Sequence, residues 1–453
     1  MAGKTYRVVL LFLLVLLTTG CGLNNTGIKQ ARSLAEVDQY LAAMTPGLTR
    51  AQELGLVTPL NIEIPVLEAN TAVHLEKIWY NSQEVFLFYS LANYRQDPNQ
   101  KHGLPYMYLD FGSLETAGGE KLLNSPGYTS NFSPQEGIVY RGRYYGRMTY
   151  NPLQKVNGEK LPAVDKVVWK QAKLIIGDKS YPLQPVTLTV NYDQSREIEQ
   201  SYVINYSQEL LGRKFEAKEL LLGVAENRLR FTFSTPKNER VYKVAVGKIV
   251  TDKKEEYYIN PVVETSNNPN EFWLVFPAFN QIPERITLKI EKLILLGDDE
   301  LTFSFDLNPY KQYLAADNIK IIDLNQEVGN VHNTKVFIES VGVRDRGLSM
   351  NMLLIPDDNE ALYEALEADR LMDGHKVSNP EYPNLIYITN ERGEVGTIGG
   401  VSVGPGNREG VTINPAFIEQ SQRLNVKIAK LPYALNGSWL LEIELNSPGG
   451  KQR

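Results

Sequence analysis

Apolar and polar residues alternate along most of the chain with the two-residue period of strands that bury one face. Ile78, Tyr80, Val85, Leu87 and Tyr89 share a face on either side of the polar turn Asn81 to Glu84. The same spacing recurs without gaps as Leu222, Val224, Leu229, Phe231 and Phe233 around Ala225 to Arg228. It recurs again as Val341, Val343, Leu348, Met350 and Met352 around Arg344 to Gly347. This predicts one hairpin written three times. An extended segment opens each copy: Asn61 to Val66, Gln200 to Tyr206, and Ile319 to Leu324.

Each copy also closes alike, with a K-x-x-K-L strand, a turn and a last alternating strand. The repetition is plainest between Pro277 to Leu293, PAFNQIPERITLKIEKL, and Pro415 to Leu431, PAFIEQSQRLNVKIAKL. A fainter version ends at Lys170, Lys173 and Leu174. The closing faces are Val186, Leu188 and Val190; Leu301, Phe303, Phe305 and Leu307; and Trp439, Leu441, Ile443 and Leu445. Half-buried strands at this density predict two-sheet sandwiches in tandem. Two stretches stand outside the repeated frame: a long insert from Asp110 to Lys160, and Pro356 to Asp373, whose leucines and alanines follow helical spacing.

Before the strands, Ser33 with Glu36 fits a capping box, and Val37, Tyr40, Leu41 and Met44 recur at helical intervals. A second brief helix is expected around Ala51 to Leu54. Upstream, Lys4 and Arg7 precede an uninterrupted apolar run, Val8 to Leu17, too short for a membrane span of about 20 residues. Charge, short apolar core and small residues predict an export signal. Thr18-Thr19-Gly20-Cys21 resembles the lipobox of bacterial lipoproteins, with Thr18 where an aliphatic residue is usual. That resemblance implies a diacylglyceryl group on Cys21, two acyl chains being enough for stable anchoring. Gly22 resembles Gram-positive usage. Cys21 is the only cysteine, so no internal disulfide can brace the domains.

The A-x-x-L-G-L-V entry (Ala51 to Val57), the K-I-W-Y…V-F-L-F-Y-S-L hairpin (Lys77 to Leu91) and the L-K-I-E-K-L strand (Leu288 to Leu293) resemble immunoglobulin-like extracytoplasmic modules of unknown function. Those modules occur in membrane-tethered proteins of Gram-positive bacteria, including anti-sigma-factor-like regulators. The resemblance implies no catalytic residue. It implies an all-β chain of three tandem immunoglobulin-like β-sandwich modules after a short helical neck. The expected division is a signal peptide at 1–20, tether and neck at 21–57, modules at 58–195, 196–314 and 315–447, and a tail at 448–453.

A net charge of −6 gives no basic footprint for nucleic acid. The candidate ligand-binding stretch is VYRGRYYGRMTY, Val139 to Tyr150. Alternation would put Arg141, Arg143, Tyr145 and Arg147 on one face, opposite Tyr140, Tyr144, Met148 and Tyr150. Guanidinium groups grip phosphates bidentately and tyrosines stack on sugar rings, so a wall polyanion is a natural ligand. A structural strand with an arginine-rich outer face would read identically. The acidic runs Asp298 to Glu300 and Asp357 to Glu360 lack calcium-loop spacing. The first fits the turn of a closing hairpin and the second the start of an inserted helix. His74, His102, His332 and His375 are scattered, and the glycine-rich run Gly396 to Gly410 lacks a phosphate-loop lysine. No cofactor or metal is expected, and no catalytic role. The expected function is that of an extracytoplasmic lipoprotein on the outer face of the membrane, binding a wall polymer or an envelope protein. The alternative is a sensory ectodomain serving a membrane signalling protein.

Overall fold

The computed structural model describes residues 28–95, 106–116, 122–123, 137–235, 239–260, 264–265, 271–314, 319–344, 347–356, 364–366, 386–404, 408–429 and 431–445. Cys21, the expected signal, and the acidic run 357–360 lie outside them. Strand accounts for 66% and helix for 9%. The chain divides into two compact units, 1–198 with 279–281, and 199–278 with 282–453.

In the first unit, helices α1 (Leu34–Ala43) and α2 (Leu48–Glu53) precede nine main strands. These are β1 (Thr58–Val66), β2 (Thr71–Tyr80), β3 (Val85–Leu91), β4 (Met107–Thr116), β5 (Ile138–Tyr140), β6 (Arg143–Tyr150), β7 (Ala163–Ile176), β8 (Lys179–Pro182) and β9 (Val186–Asp193). One sheet runs β5-β6-β3-β2-β1, with Lys29–Gln30 added in parallel beside β5. The other is built on β7, which pairs with β4 along one edge and with β8 and β9 along the other. Leu75, Leu87, Met148 and Tyr150 from the first sheet and Val167, Trp169, Leu174 and Leu188 from the second form one core. Three of its buried polar tips are hydrogen-bonded: Trp169 Nε1 donates to Tyr150 Oη at 2.7 Å, and Leu153 N to Tyr80 Oη at 2.7 Å.

Two expectations change here. The stretch from Asp110 to Lys160 is not an insertion between framework strands; it supplies β6 and β5, the fourth and fifth strands of the sheet counted from β1. The helices expected as a neck pack on the unit, α1 against β5 and β6, with Val37, Leu41, Leu48 and Ala51 buried. They cover a sheet face that is itself apolar, Trp79, Phe86 and Phe88 being buried outside the main core. The α1 cap forms as the sequence predicts, with Ser33 Oγ accepting from Glu36 N at 3.2 Å.

In the second unit the strands are β10 (Ile198–Leu210), β11 (Arg213–Gly223), β12 (Glu226–Ser234), β13 (Arg240–Thr251), β14 (Glu264–Thr265), β15 (Glu271–Pro277), β16 (Arg285–Leu296) and β17 (Glu300–Asp306). They continue as β18 (Lys320–Val331), β19 (Thr334–Arg344), β20 (Gly347–Pro356), β21 (Ile386–Asn390), β22 (Ile398–Gly404), β23 (Arg408–Ile413), β24 (Arg423–Ala429) and β25 (Pro432–Glu444). A short helix α3 (Pro415–Gln420) precedes β24, capped by Asn414. Two five-stranded sheets, β10-β11-β12-β15-β14 and β18-β19-β20-β23-β22, repeat the strand order of β1-β2-β3-β6-β5. Every apolar position used to align the three hairpins is buried. The middle hairpin turns two residues earlier than expected, because Leu222 pairs with Asn227 and Leu221 with Arg228.

The closing strands of the second unit do not fold back on their own copies, whereas that of the first unit does. In the first unit β7 and its closing strand β9 are partners, with Val167 opposite Leu188. In the second unit β16 pairs with β25, the closing strand of the other copy, setting Ile286 opposite Ile443 and Leu288 opposite Leu441. Reciprocally β24 pairs with β17, setting Leu424 opposite Phe305 and Val426 opposite Phe303. Because Ile286 corresponds to Leu424, and Ile443 to Phe305, both exchanged ladders have one register. Trp439 of β25 thus packs 6.2 Å from Phe215 of β11. The expected boundary at 314/315 therefore falls inside a unit, where two sheet pairs have traded their last strands. Asp298 to Glu300, expected at a hairpin turn, instead carries the chain from β16 into β17 in another sheet. Glu364–Leu366, expected within a helix, is a short strand on the far edge of β25.

Candidate functional site

The stretch Val139 to Tyr150 forms a hairpin whose tip is Arg141-Gly142. Tyr140 pairs with Arg143, and the two central residues have φ of 48° and 74°. Positive φ at both positions is the two-residue turn whose twist matches the flanking strands, and Gly142 adopts it without steric cost. Arg141 therefore leaves the strand face on which alternation placed it. It is exposed at the tip, its guanidinium 5.2 Å from the centre of the Tyr140 ring.

Arg143, Tyr145 and Arg147 do share the face turned away from the core. Arg143 Nη1 donates to Ser90 Oγ at 3.1 Å and lies 4.0 Å from Glu76 Oε1. Arg147 Nη1 donates to Thr45 Oγ1 at 2.8 Å, with its guanidinium 5.2 Å from the Phe86 ring centre. Beside them Lys77 meets Asp38 of α1 at 3.3 Å and lies over Phe88. Carboxylates, hydroxyls and rings from β2, β3, α1 and the turn after it thus partner these cations. Burial raises the pKa of the Tyr145 phenol.

Tyr144 faces inward as alternation predicts. It is buried against Tyr94 at 5.0 Å and Tyr89 at 6.2 Å, and burial raises its pKa far above the ordinary phenol value. Gly137 faces that ring so closely that a Cβ there would lie 2.2 Å from it. Gly137→Ala is therefore expected to displace Tyr144 and cost about 1–3 kcal/mol, the usual penalty of overpacking. Urea denaturation checks the loss, and Gly142→Ala, whose Cβ meets nothing within 4 Å, provides a backbone-strain control.

The second unit holds a polar cluster that sequence reading did not find. Arg213 grips Glu239 with two hydrogen bonds, Nε to Oε2 and Nη2 to Oε1, both 2.8 Å. Tyr433 Oη donates to Glu239 Oε1 and accepts from Arg213 Nη2 at 3.2 Å, while Thr235 Oγ1 donates to Oε2 at 2.6 Å. The His332 ring stacks on Tyr433 at 3.8 Å, and its Nε2 is 3.0 Å from Asp299 Oδ2. Arg213 and Tyr433 are 220 residues apart in sequence, so no spacing could signal the cluster. It satisfies buried groups and fastens the start of β25 to β11.

Among the described residues no three His, Cys, Asp or Glu side chains are grouped to hold a metal ion. Nor is any helix there long and apolar enough to cross a membrane. A small gap between β20, β21, β23 and β24 is lined only by apolar side chains such as Met350, Ile388 and Val426.

No family model matches the chain, and no curated protein matches it. Among solved structures, the crystal structure of the conserved domain protein from Bacillus anthracis is similar over 59% of this chain and 82% of that one. Identity is 12% and the TM-score 0.28. This chain is a largely β protein with a distant likeness to that conserved Bacillus domain protein.

Proposed function

We propose that the protein is a non-catalytic cell-envelope lipoprotein, held on the outer face of the membrane by acylated Cys21, whose immunoglobulin-like modules bind a wall polymer or envelope protein. The observation that supports a binding surface is the hairpin tip of the first unit. There Arg141 is exposed on a turn fixed by its flanking strands, beside the half-buried Tyr140 and Arg143. A guanidinium held over an aromatic ring is preorganised for phosphate on one side and a sugar face on the other.

The test is sedimentation of the mature protein with isolated cell walls, before and after extraction of their phosphate polymers. Arg141→Ala with Arg143→Ala is expected to weaken binding about tenfold, the loss shrinking as salt screens the contacts. Unchanged binding would move the surface elsewhere. Capture of a membrane signalling protein by crosslinking, without wall binding, would favour the sensory ectodomain. Cys21→Ser is expected to release the protein from the membrane pellet.

A further inference from the structure

The three copied sheets share a frame but not an outer face. In the first unit that face carries Trp79, Phe86 and Phe88, all buried. In the second unit the sheet β10-β11-β12-β15-β14 carries charged residues there instead, and one row across it includes an aromatic ring. Glu219 of β11 lies opposite Arg230 of β12, and Arg230 opposite Trp273 of β15. Their neighbours in sequence, Leu220, Leu229, Phe231, Phe272 and Leu274, are buried in the core. Alternation therefore puts the row on the outside, and all three of its residues are partly exposed.

The frame does not require a tryptophan at this place. The hairpin alignment makes Trp273 the counterpart of Thr149, opposite Phe86, and of Thr412, opposite Ser349. Both other copies form the same sheet with threonine there. Of the four tryptophans, Trp79, Trp169 and Trp439 are at most 3% exposed, and only Trp273 is not buried.

The charges around its ring are already matched. The Arg230 guanidinium lies 5.7 Å from the indole centre, held by Glu271 at 3.1 Å and Glu219 at 3.4 Å. Glu219 also accepts from Ser201 Oγ at 2.8 Å. Glu216 takes Lys214 and Lys218, and Glu226 takes Arg228. None of these cations is left over to draw a polyanion. The face offers a flat aromatic surface rimmed by fixed donors and acceptors. That suits a sugar ring, whose C–H groups lie on the indole while its hydroxyls reach the carboxylates and guanidinium.

We propose that Trp273, with Glu219, Arg230 and Glu271, is a stacking platform for an uncharged saccharide, the sugar chain of the wall rather than its phosphate polymer. The identity of that saccharide rests on the reading of the protein as one that faces the wall; the platform is independent of the Arg141 tip.

The probe is a neutral N-acetylglucosamine tetrasaccharide, titrated into the full mature chain carrying Cys21→Ser. Because the other indoles are buried, a fluorescence change on titration reports Trp273. A saturable change is expected, with a Kd of about 1 mM, typical of a shallow site. By calorimetry, Trp273→Thr, the residue of the other copies, should bind at least about tenfold more weakly with an unchanged urea midpoint. Trp273→Tyr should keep part of the affinity, as stacking predicts and a merely structural rung does not. Arg141→Ala with Arg143→Ala should bind the sugar like the wild type. Should Trp273→Thr fail to fold, the wild type decides: bound sugar should slow oxidation of the accessible indole by N-bromosuccinimide.

Equal affinity in a folded Trp273→Thr chain, or an indole that the sugar neither perturbs nor protects, overturns the proposal. So does wall sedimentation that needs Trp273 when the tetrasaccharide does not bind, since the occupant is then a protein. Sugar binding is read in solution, apart from the location that the Cys21→Ser membrane pellet reports, so the two readings fail separately.

Discussion

Trp439→Ala is expected to destabilise the second unit by about 3–5 kcal/mol, as removal of a large buried aromatic does. The informative part is where the damage appears. Trp439 is 3% exposed and lies in the last strand, yet its ring contact is Phe215 of β11, which in turn stacks near Phe231 and Phe272. Hydrogen exchange should therefore rise first across β11, β12 and β15, not across β19 and β20, which are nearer in sequence. The Trp439 indole N–H has no hydrogen-bond partner among the described residues. Trp439→Phe discards no polar contact and keeps a ring against Phe215, so it should cost less than the alanine change. Equal loosening of β19 and β20 in the alanine variant would contradict the exchanged pairing.

Glu239→Ala is expected to cost a similar amount, about 3–5 kcal/mol, because it strands a buried guanidinium. The Arg213 and Glu239 side chains are 4% and 1% exposed, and the pair's geometry is bidentate. Burial alone would raise the Glu239 pKa; hydrogen bonds from Arg213, Thr235 and Tyr433, with the guanidinium charge, outweigh it and hold the carboxyl below its usual 4.5. A depressed folded-state pKa means the unfolded chain binds the proton more readily in acid. The stability this group contributes is present above pH 4.5 and is lost as pH falls through the folded value. Urea midpoints followed from pH 7 to pH 3 should decline in the wild type and be flatter in Glu239→Gln. Identical pH profiles would show that this carboxylate plays no part in acid unfolding.

The hairpins were legible in the chain because alternation is a local signal. Ile78 to Tyr89 and its two echoes declare a buried face whatever lies beyond them. Partner choice is not local. The face of Ile286, Leu288 and Ile290 reads the same whether Phe305 or Ile443 lies opposite, so the exchange left no mark in the period. The hairpin tip was misplaced for a related reason. Tyr140-Arg141-Gly142-Arg143 fits an unbroken alternating strand, but Gly142 after Arg141 was the sign of a two-residue turn. Of the candidate stretch, the inward set Tyr144, Met148 and Tyr150 was readable from sequence. The pairing of Arg143 and Arg147 was not, since Glu76, Ser90 and Thr45 come from other elements.

The traded strands also set a timetable for synthesis. The sheet built on β16 lacks one neighbour until β25 exists, and β25 also reaches back to β11, where Arg213 and Tyr433 are 220 residues apart. Closing so large a loop is slow, and incomplete sheets are open to misassembly meanwhile. The first unit's sheets need no strand later than β9, so its core can form while the rest is still being made. The second must wait for β25, and a chain interrupted before it leaves the β16 sheet unfinished even though the β17-β24-β21 sheet already has all its strands.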